Sequence, residues 1–168
     1  MRIIAAVMAA FLVSPAFAQE APKVGPEIEM LAKRAGTWDT VVKGGGGESK
    51  GVMTWKMELG GLWLTGALDT EIGGQKYAGR SLDSYDAAKK KFVSVWVDSM
   101  GASPMLMEGT WNAAKKTMTM SGDGPGTDGK PAKWKSVSEM TDENTETMSM
   151  FVGDSKEPMF TMIYKRKK

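Results

Sequence analysis

The chain is 168 residues long, carries 22 basic against 20 acidic residues, and contains neither cysteine nor histidine. Those absences remove the thiolate nucleophile, the imidazole base, His-ligated haem and the usual zinc sites. Near-balanced, interspersed charge leaves no electrostatic footprint for nucleic acid, and without a disulfide the hydrophobic core must hold the fold alone.

The N-terminus has the three parts of a secretory signal: Met1-Arg2, an apolar run from Ile3 to Val13, and Ala16-Phe17-Ala18 as a small-x-small end. The run is shorter than the ~20 apolar residues a bilayer demands, so it is read as a signal and not as a transmembrane segment. Cleavage after Ala18 predicts a periplasmic or secreted chain starting at Gln19. No cysteine follows the cut to carry a lipid. Residues 1–18 are thus the signal peptide, 19–35 a segment with a short helix, and 36–168 a β-barrel domain. One domain of this size buries ~70% of its unfolded surface.

Pro26 through Ala35 reads as the one helix, with Pro in the first turn, early Glu27 and Glu29, late Lys33 and Arg34, and Gly36 beyond its end. Strand-like runs follow at 37–43, 49–59, 62–71, 76–85, 91–99, 104–111, 116–122, 132–141, 145–152 and 158–166, with turn signals between them. Two connectors, Tyr85-Asp86-Ala87-Ala88-Lys89-Lys90 and Trp111-Asn112-Ala113-Ala114-Lys115-Lys116, are near copies in which Asp or Asn caps its own turn. Short links pair neighbours antiparallel. About ten such strands close most simply into an all-β, single up-and-down antiparallel barrel, which leaves no exposed edges.

Alternation assigns the faces. Met53, Trp55 and Met57 share one face of their strand. Three Met-X-Met triplets (Met105/Met107, Met118/Met120, Met148/Met150) do likewise, with Trp111 in phase with the first. Phe160, Met162 and Tyr164 share another face. Most methionines thus point into the barrel. Met fills gaps well, so plain core filling accounts for them; against that, a barrel with this many strands tends to be wider than side chains alone can fill.

Gly124-Pro125-Gly126-Thr127-Asp128-Gly129 matches G-x-G-x-x-G, but Lys130-Pro131 and a strand follow where a dinucleotide site needs a helix. Asp123 and Asp128 lack calcium-loop spacing. No serine has a His partner. Asp69, Glu71, Asp83 and Asp86 lie in or near turns, where capping is the default. Asp98 ends the apolar run Phe92–Val97 on the face of Trp96, and Arg80 is its nearest partner in sequence. A structural ion pair is the first reading of Asp98; an acid or base is the other. Thioethers also suit Cu(I), although the three triplets lie on three strands.

The combination Gly36-Thr37-Trp38-Asp39, Gly60-Gly61, Gly79-Arg80 through Tyr85-Asp86, Trp96-Val97-Asp98-Ser99-Met100, Glu108-Gly109-Thr110 and Tyr164-Lys165-Arg166 resembles the bacterial family called domain of unknown function 1579. That resemblance implies no activity. It does imply a relative of the calycins, the superfamily of lipocalins and fatty-acid-binding proteins. Gly36-Thr37-Trp38 also matches the lipocalin G-x-W signature, whose Trp plugs the closed end under a late Arg; Arg166 is the matching residue. Ten strands in place of eight, and no disulfide, depart from a lipocalin.

The resulting expectation is non-catalytic binding of a small apolar or amphipathic molecule, with no cofactor, no metal and no catalytic residue. The lining is expected from Met53, Trp55, Met57, Met105, Met107, Trp111, Met118, Met120, Met148, Met150 and Met162, with polar contacts from Arg80, Trp96 and Asp98. Two alternatives stay open: methionines handling Cu(I) or oxidation, and an enzyme using Asp98.

Overall fold

The computed structural model describes residues 24–44 and 47–168. The expected signal peptide and its cleavage site lie outside the described residues. Helix α1 spans Pro26–Ala32, with Pro26 in its first turn and Glu27 and Glu29 near its positive end. It stops before the expected Ala35: Lys33 caps it, and Arg34 and Ala35 continue in tight turns through bonds to Leu31 O (2.9 Å) and Ala32 O (3.0 Å).

Ten strands follow: β1 Gly36–Gly44, β2 Gly47–Glu58, β3 Trp63–Ile72, β4 Gln75–Asp86, β5 Lys91–Asp98, β6 Met105–Asn112, β7 Thr117–Pro125, β8 Pro131–Asp142, β9 Thr145–Val152 and β10 Phe160–Arg166. Each pairs antiparallel with its sequence neighbour, and β1 pairs with β10 from Trp38 opposite Arg166 to Gly44 opposite Phe160, closing the barrel. The expected all-β barrel is therefore the fold.

The turn copies behave alike. Asp86 Oδ1 accepts from Ala88 N (2.9 Å) and Lys89 N (3.0 Å), and Asn112 Oδ1 accepts from Lys115 N (3.0 Å). Each link ends on a lysine in the left-handed region, Lys90 at φ 54° and Lys116 at φ 49°. A side-chain cap at the start and a left-handed residue at the end fold the chain back within four residues.

The core forms two buried groups. The larger joins Ile28 and Leu31 of α1 to Trp38, Met53, Trp55, Leu64, Leu68, Phe92, Met162 and Tyr164. The smaller joins Met107, Trp134 and Met150. Met120, Met148 and Phe160 pack against both. Strands β1, β3, β5, β7 and β9 start at the α1 end and the others finish there, so the larger group forms the closed end. Among the described residues, no helix is long and apolar enough to cross a membrane.

Candidate functional site

The closed end is built on Trp38. It is 2% exposed, its indole N–H donates to Arg34 O (2.9 Å), and its ring meets Trp55 edge-on at 5.7 Å. Arg166 lies across its face at 4.2 Å and ties down the chain leaving α1 by donating to Ala35 O (2.7 Å) and Lys33 O (2.5 Å). Gly36 sits at φ 130°, where a Cβ would be strained and would meet the Arg166 guanidinium at 2.8 Å. The expected Trp38–Arg166 pairing is present.

Beside this plug, a groove of about 370 Å³ opens between α1 and the ends of β4, β5 and β6. Met30, Tyr85, Phe92 and Trp111 make its apolar wall, with Glu27 and Lys90 among its polar residues. Tyr85 and Phe92 are opposite one another in register and their rings lie 5.1 Å apart.

A polar group lies inside the barrel. Arg34 turns inward and its Nη2 donates to Glu146 Oε1 at 2.8 Å; Glu146 is 2% exposed. The Arg34 guanidinium lies on the face of Trp55 at 4.3 Å, and Trp55 in turn packs on Tyr164 at 5.1 Å. Burial alone would lower the Arg34 pKa, but the charges of Glu146, Asp83 and Tyr164, with the hydrogen bond to Glu146, together outweigh it and hold the pKa up. Asp83 accepts from Ser81 Oγ at 2.7 Å. Burial raises its carboxyl pKa against the opposing pull of Ser94, Arg34 and Ser81. The Tyr164 hydroxyl is pushed up by burial and then by the Glu146 charge.

Arg80 and Asp98 are not partners. Asp98 Oδ2 accepts from Tyr77 OH (2.9 Å) and Trp96 Nε1 (3.1 Å), while Oδ1 accepts from Met100 N (2.8 Å). Burial and then the Asp98 charge push the Tyr77 pKa up. Arg80 faces outward and pairs with Asp69 at 3.3 Å. The strand period decides this: Gly79 and Ser81 are buried, so Arg80 between them points out. Gly79 is required inside because a Cβ there would overlap the Trp96 indole.

The other expected lining residues divide. Met53 and Trp55 are packed into the closed end at 3% and 2% exposure and present almost no free surface. Met57, Trp111, Met118, Met120 and Met148 are partly buried against the same group as Met162. Met107 and Met150 are buried in the smaller group, with Met105 packed on it. None of the four methionines of β6 and β7 is directly opposite another across the ladder. Met118 is opposite Trp111, Met120 opposite Gly109 and Met107 opposite Gly122.

Sequence reasoning missed Arg34, Glu146 and Asp83. Glu146 was legible, since it is in phase with Met148 and Met150. Asp83 was assigned to a turn but stands three residues inside the end of β4, in phase with Ser81. Nothing local marks Arg34, which enters the barrel only because the chain turns after α1.

Among solved structures, a redesigned β-barrel is similar to this chain at 13% identity and TM-score 0.45, covering 84% of this chain and 96% of that one. No curated protein matches the chain. Residues 23–166 match the family described as "Protein of unknown function (DUF1579)", which is most of the chain, and the protein therefore belongs to that family.

Proposed function

We propose that the protein binds a small amphipathic molecule without transforming it, and that the apolar part of the ligand occupies the groove beside α1. The groove carries this reading. Its volume of about 370 Å³ falls within the roughly 300–1,000 Å³ of small-molecule pockets. Its wall is one methionine and three aromatic side chains, and these pack with the same group as the inward Met118 and Met120. Aromatic and thioether surfaces supply large, adaptable apolar contact. The oxygens of Asp98 are engaged by Tyr77, Trp96 and Met100, which favours an architectural role for that carboxylate over an acid–base one. The N-terminal pattern supports export, with Gln19 as the first residue after cleavage.

The neutral fluorophore N-phenyl-1-naphthylamine tests the groove. Saturable binding at one site is expected in the wild type, weakened at least about tenfold in Trp111→Ala with the circular dichroism spectrum unchanged. A tenfold loss corresponds to ~1.4 kcal/mol, within the range for one buried apolar side chain. Absence of binding, or equal affinity in the folded variant, would remove the groove as the site.

A further inference from the structure

Strand β5 is apolar on both faces. Phe92 and Trp96 pack inward with Ser94 between them, so Val93, Val95 and Val97 point outward. A strand with one solvated face alternates apolar and polar residues, and a run apolar on both faces is the pattern of a strand covered on both sides. The neighbouring strands extend this outer face. Leu82 of β4 is opposite Val95, and Val95 is opposite Leu106 of β6, so the three form one row across the outside of the barrel. Leu82 is 41% exposed, Val97 45% and Leu106 54%. Outward positions elsewhere differ. Strand β7 presents Thr117, Thr119, Ser121 and Asp123, and β2 presents Lys50, Thr54, Lys56 and Glu58 around a single Val52. A contiguous aliphatic patch on the surface of a small protein marks an interaction site.

The rim identifies the occupant. Arg80 lies at one corner of the patch, opposite Val97, and pairs with Asp69 at 3.3 Å. Glu108 lies at the diagonal corner, opposite Val93, and pairs with Lys89. Each corner thus carries both signs. Both pairs are exposed, and exposed pairs are worth so little that they exchange partners readily. Two identical sheet faces stack about a two-fold axis lying between them. Through Val95, an axis along β5 sets Glu108 against Ser84 of the second copy, and an axis across β5 sets Arg80 against Ser84. The diagonal through Arg80 and Glu108 brings like charges together. The other diagonal packs Val97 on Leu106, Leu82 on Val93 and Val95 on its own equivalent, and it sets Arg80 against Glu108 at both ends. Strands then cross near a right angle, one of the two ordinary ways in which sheets pack.

We infer that a second copy of this chain covers the face, in a reversible two-fold dimer through β4, β5 and β6. The charge pattern carries the choice of occupant, because it is complementary to itself. An anionic lipid surface would meet Asp69 and Glu108 along with Arg80 and Lys89. Size sets the affinity. Three strands and three outward positions span ~15 Å by ~20 Å, or ~300 Å² in projection. A standard interface takes ~800 Å² a side, so the dimer is weak, with a dissociation constant in the high-micromolar range. The face lies on the outside of the barrel, and the inference does not depend on the groove.

Sedimentation equilibrium of the purified protein from about 10 μM to about 1 mM tests this, a range that spans a weak, transient interface. The average mass is expected to rise from one chain towards two. Leu82→Lys and Leu106→Lys, both at exposed positions, should keep the circular dichroism spectrum and stay monomeric throughout. Arg80→Glu sets like charges together at both ends and should raise the dissociation constant about tenfold. Arg80→Glu/Glu108→Arg reverses both partners and should restore the dimer. A wild type that stays monomeric at about 1 mM overturns the inference, as does self-association unchanged in both lysine variants. A loss in Arg80→Glu that the double reversal does not recover overturns the two-fold pairing and the choice of occupant with it. A monomeric wild type that floats with phosphatidylcholine vesicles, while Leu106→Lys does not, would give the face to lipid instead.

Discussion

Truncating Trp38 is the sharpest perturbation of the closed end. The side chain is 2% exposed, meets Trp55 at 5.7 Å, carries Arg166 on its face and donates to Arg34 O. Replacing a buried Trp by Ala costs about 3–5 kcal/mol. That figure already contains the aromatic pair, worth ~0.5–1.5 kcal/mol, and the hydrogen bond, worth ~1 kcal/mol; the cavity accounts for the rest. A domain has only ~5–15 kcal/mol in total. At roughly 2–4 °C per kcal/mol for a chain of this size, Trp38→Ala should lower Tm by about 6–20 °C. Trp38→Phe keeps most of the packing and loses the indole donor, so about 1–2 kcal/mol is expected. Urea unfolding followed by circular dichroism reads both, with m unchanged. A double-mutant cycle with Arg166→Ala should return a coupling of about 0.5–1 kcal/mol from the stacked pair. A Trp38→Ala cost below ~1 kcal/mol, or no coupling, would refute the account of this end as a Trp plug under an Arg clamp.

Three further outcomes are expected. Glu146→Ala strands the inward Arg34 charge and should cost about 3–5 kcal/mol, whereas Arg34→Met/Glu146→Leu should cost far less; denaturation midpoints ranking the double variant below the single one would contradict this. Asp83 has its folded pKa raised above the ordinary 3.8 by burial. The native state therefore holds this proton more tightly than the unfolded chain, and the Asp83 contribution is complete below 3.8 and is lost as pH rises through the folded value. Asp83→Asn should match the wild type at pH 3 and exceed it in stability at pH 7, and urea titrations at both values check the sign; a gap that is widest at pH 3 defeats it. Replacing Met105, Met107, Met118 and Met120 together by Leu conserves volume, at under ~1.5 kcal/mol each, and removes every one of those sulfurs. The variant should fold and keep the fluorescent probe. Competition with a Cu(I) chelator should find wild type and variant alike; tight Cu(I) binding lost only in the variant would turn the assignment toward soft-metal handling.

Period-two alternation, capped turns and short links were enough to read ten antiparallel strands from the residues alone, because each of these signals is local. The Asp86 and Asn112 turns cap themselves with atoms two and three residues away, and no distant contact can override so short a loop. Gly36-Thr37-Trp38 and Arg166 were legible only through their resemblance to the lipocalin G-x-W signature; the structure supplies the physical reason, a glycine at φ 130° whose Cβ would meet the Arg166 guanidinium. The reading of export rests on the pattern in residues 1–18 alone. What the folded chain alone decided was which neighbours the inward residues meet. Met118 and Met107 fall opposite Trp111 and Gly122 because register across β6 and β7 is fixed by the whole closed ladder and not by either strand. Arg80 faces out, and Asp98 is completed by Tyr77 and Trp96. The groove joins α1 to the ends of β4, β5 and β6, and Arg34 reaches Glu146 across 112 residues of sequence. Pattern along a chain reports which face a side chain takes. The partner of a buried charge is set by barrel closure, which brings together strands that carry no trace of one another in the sequence.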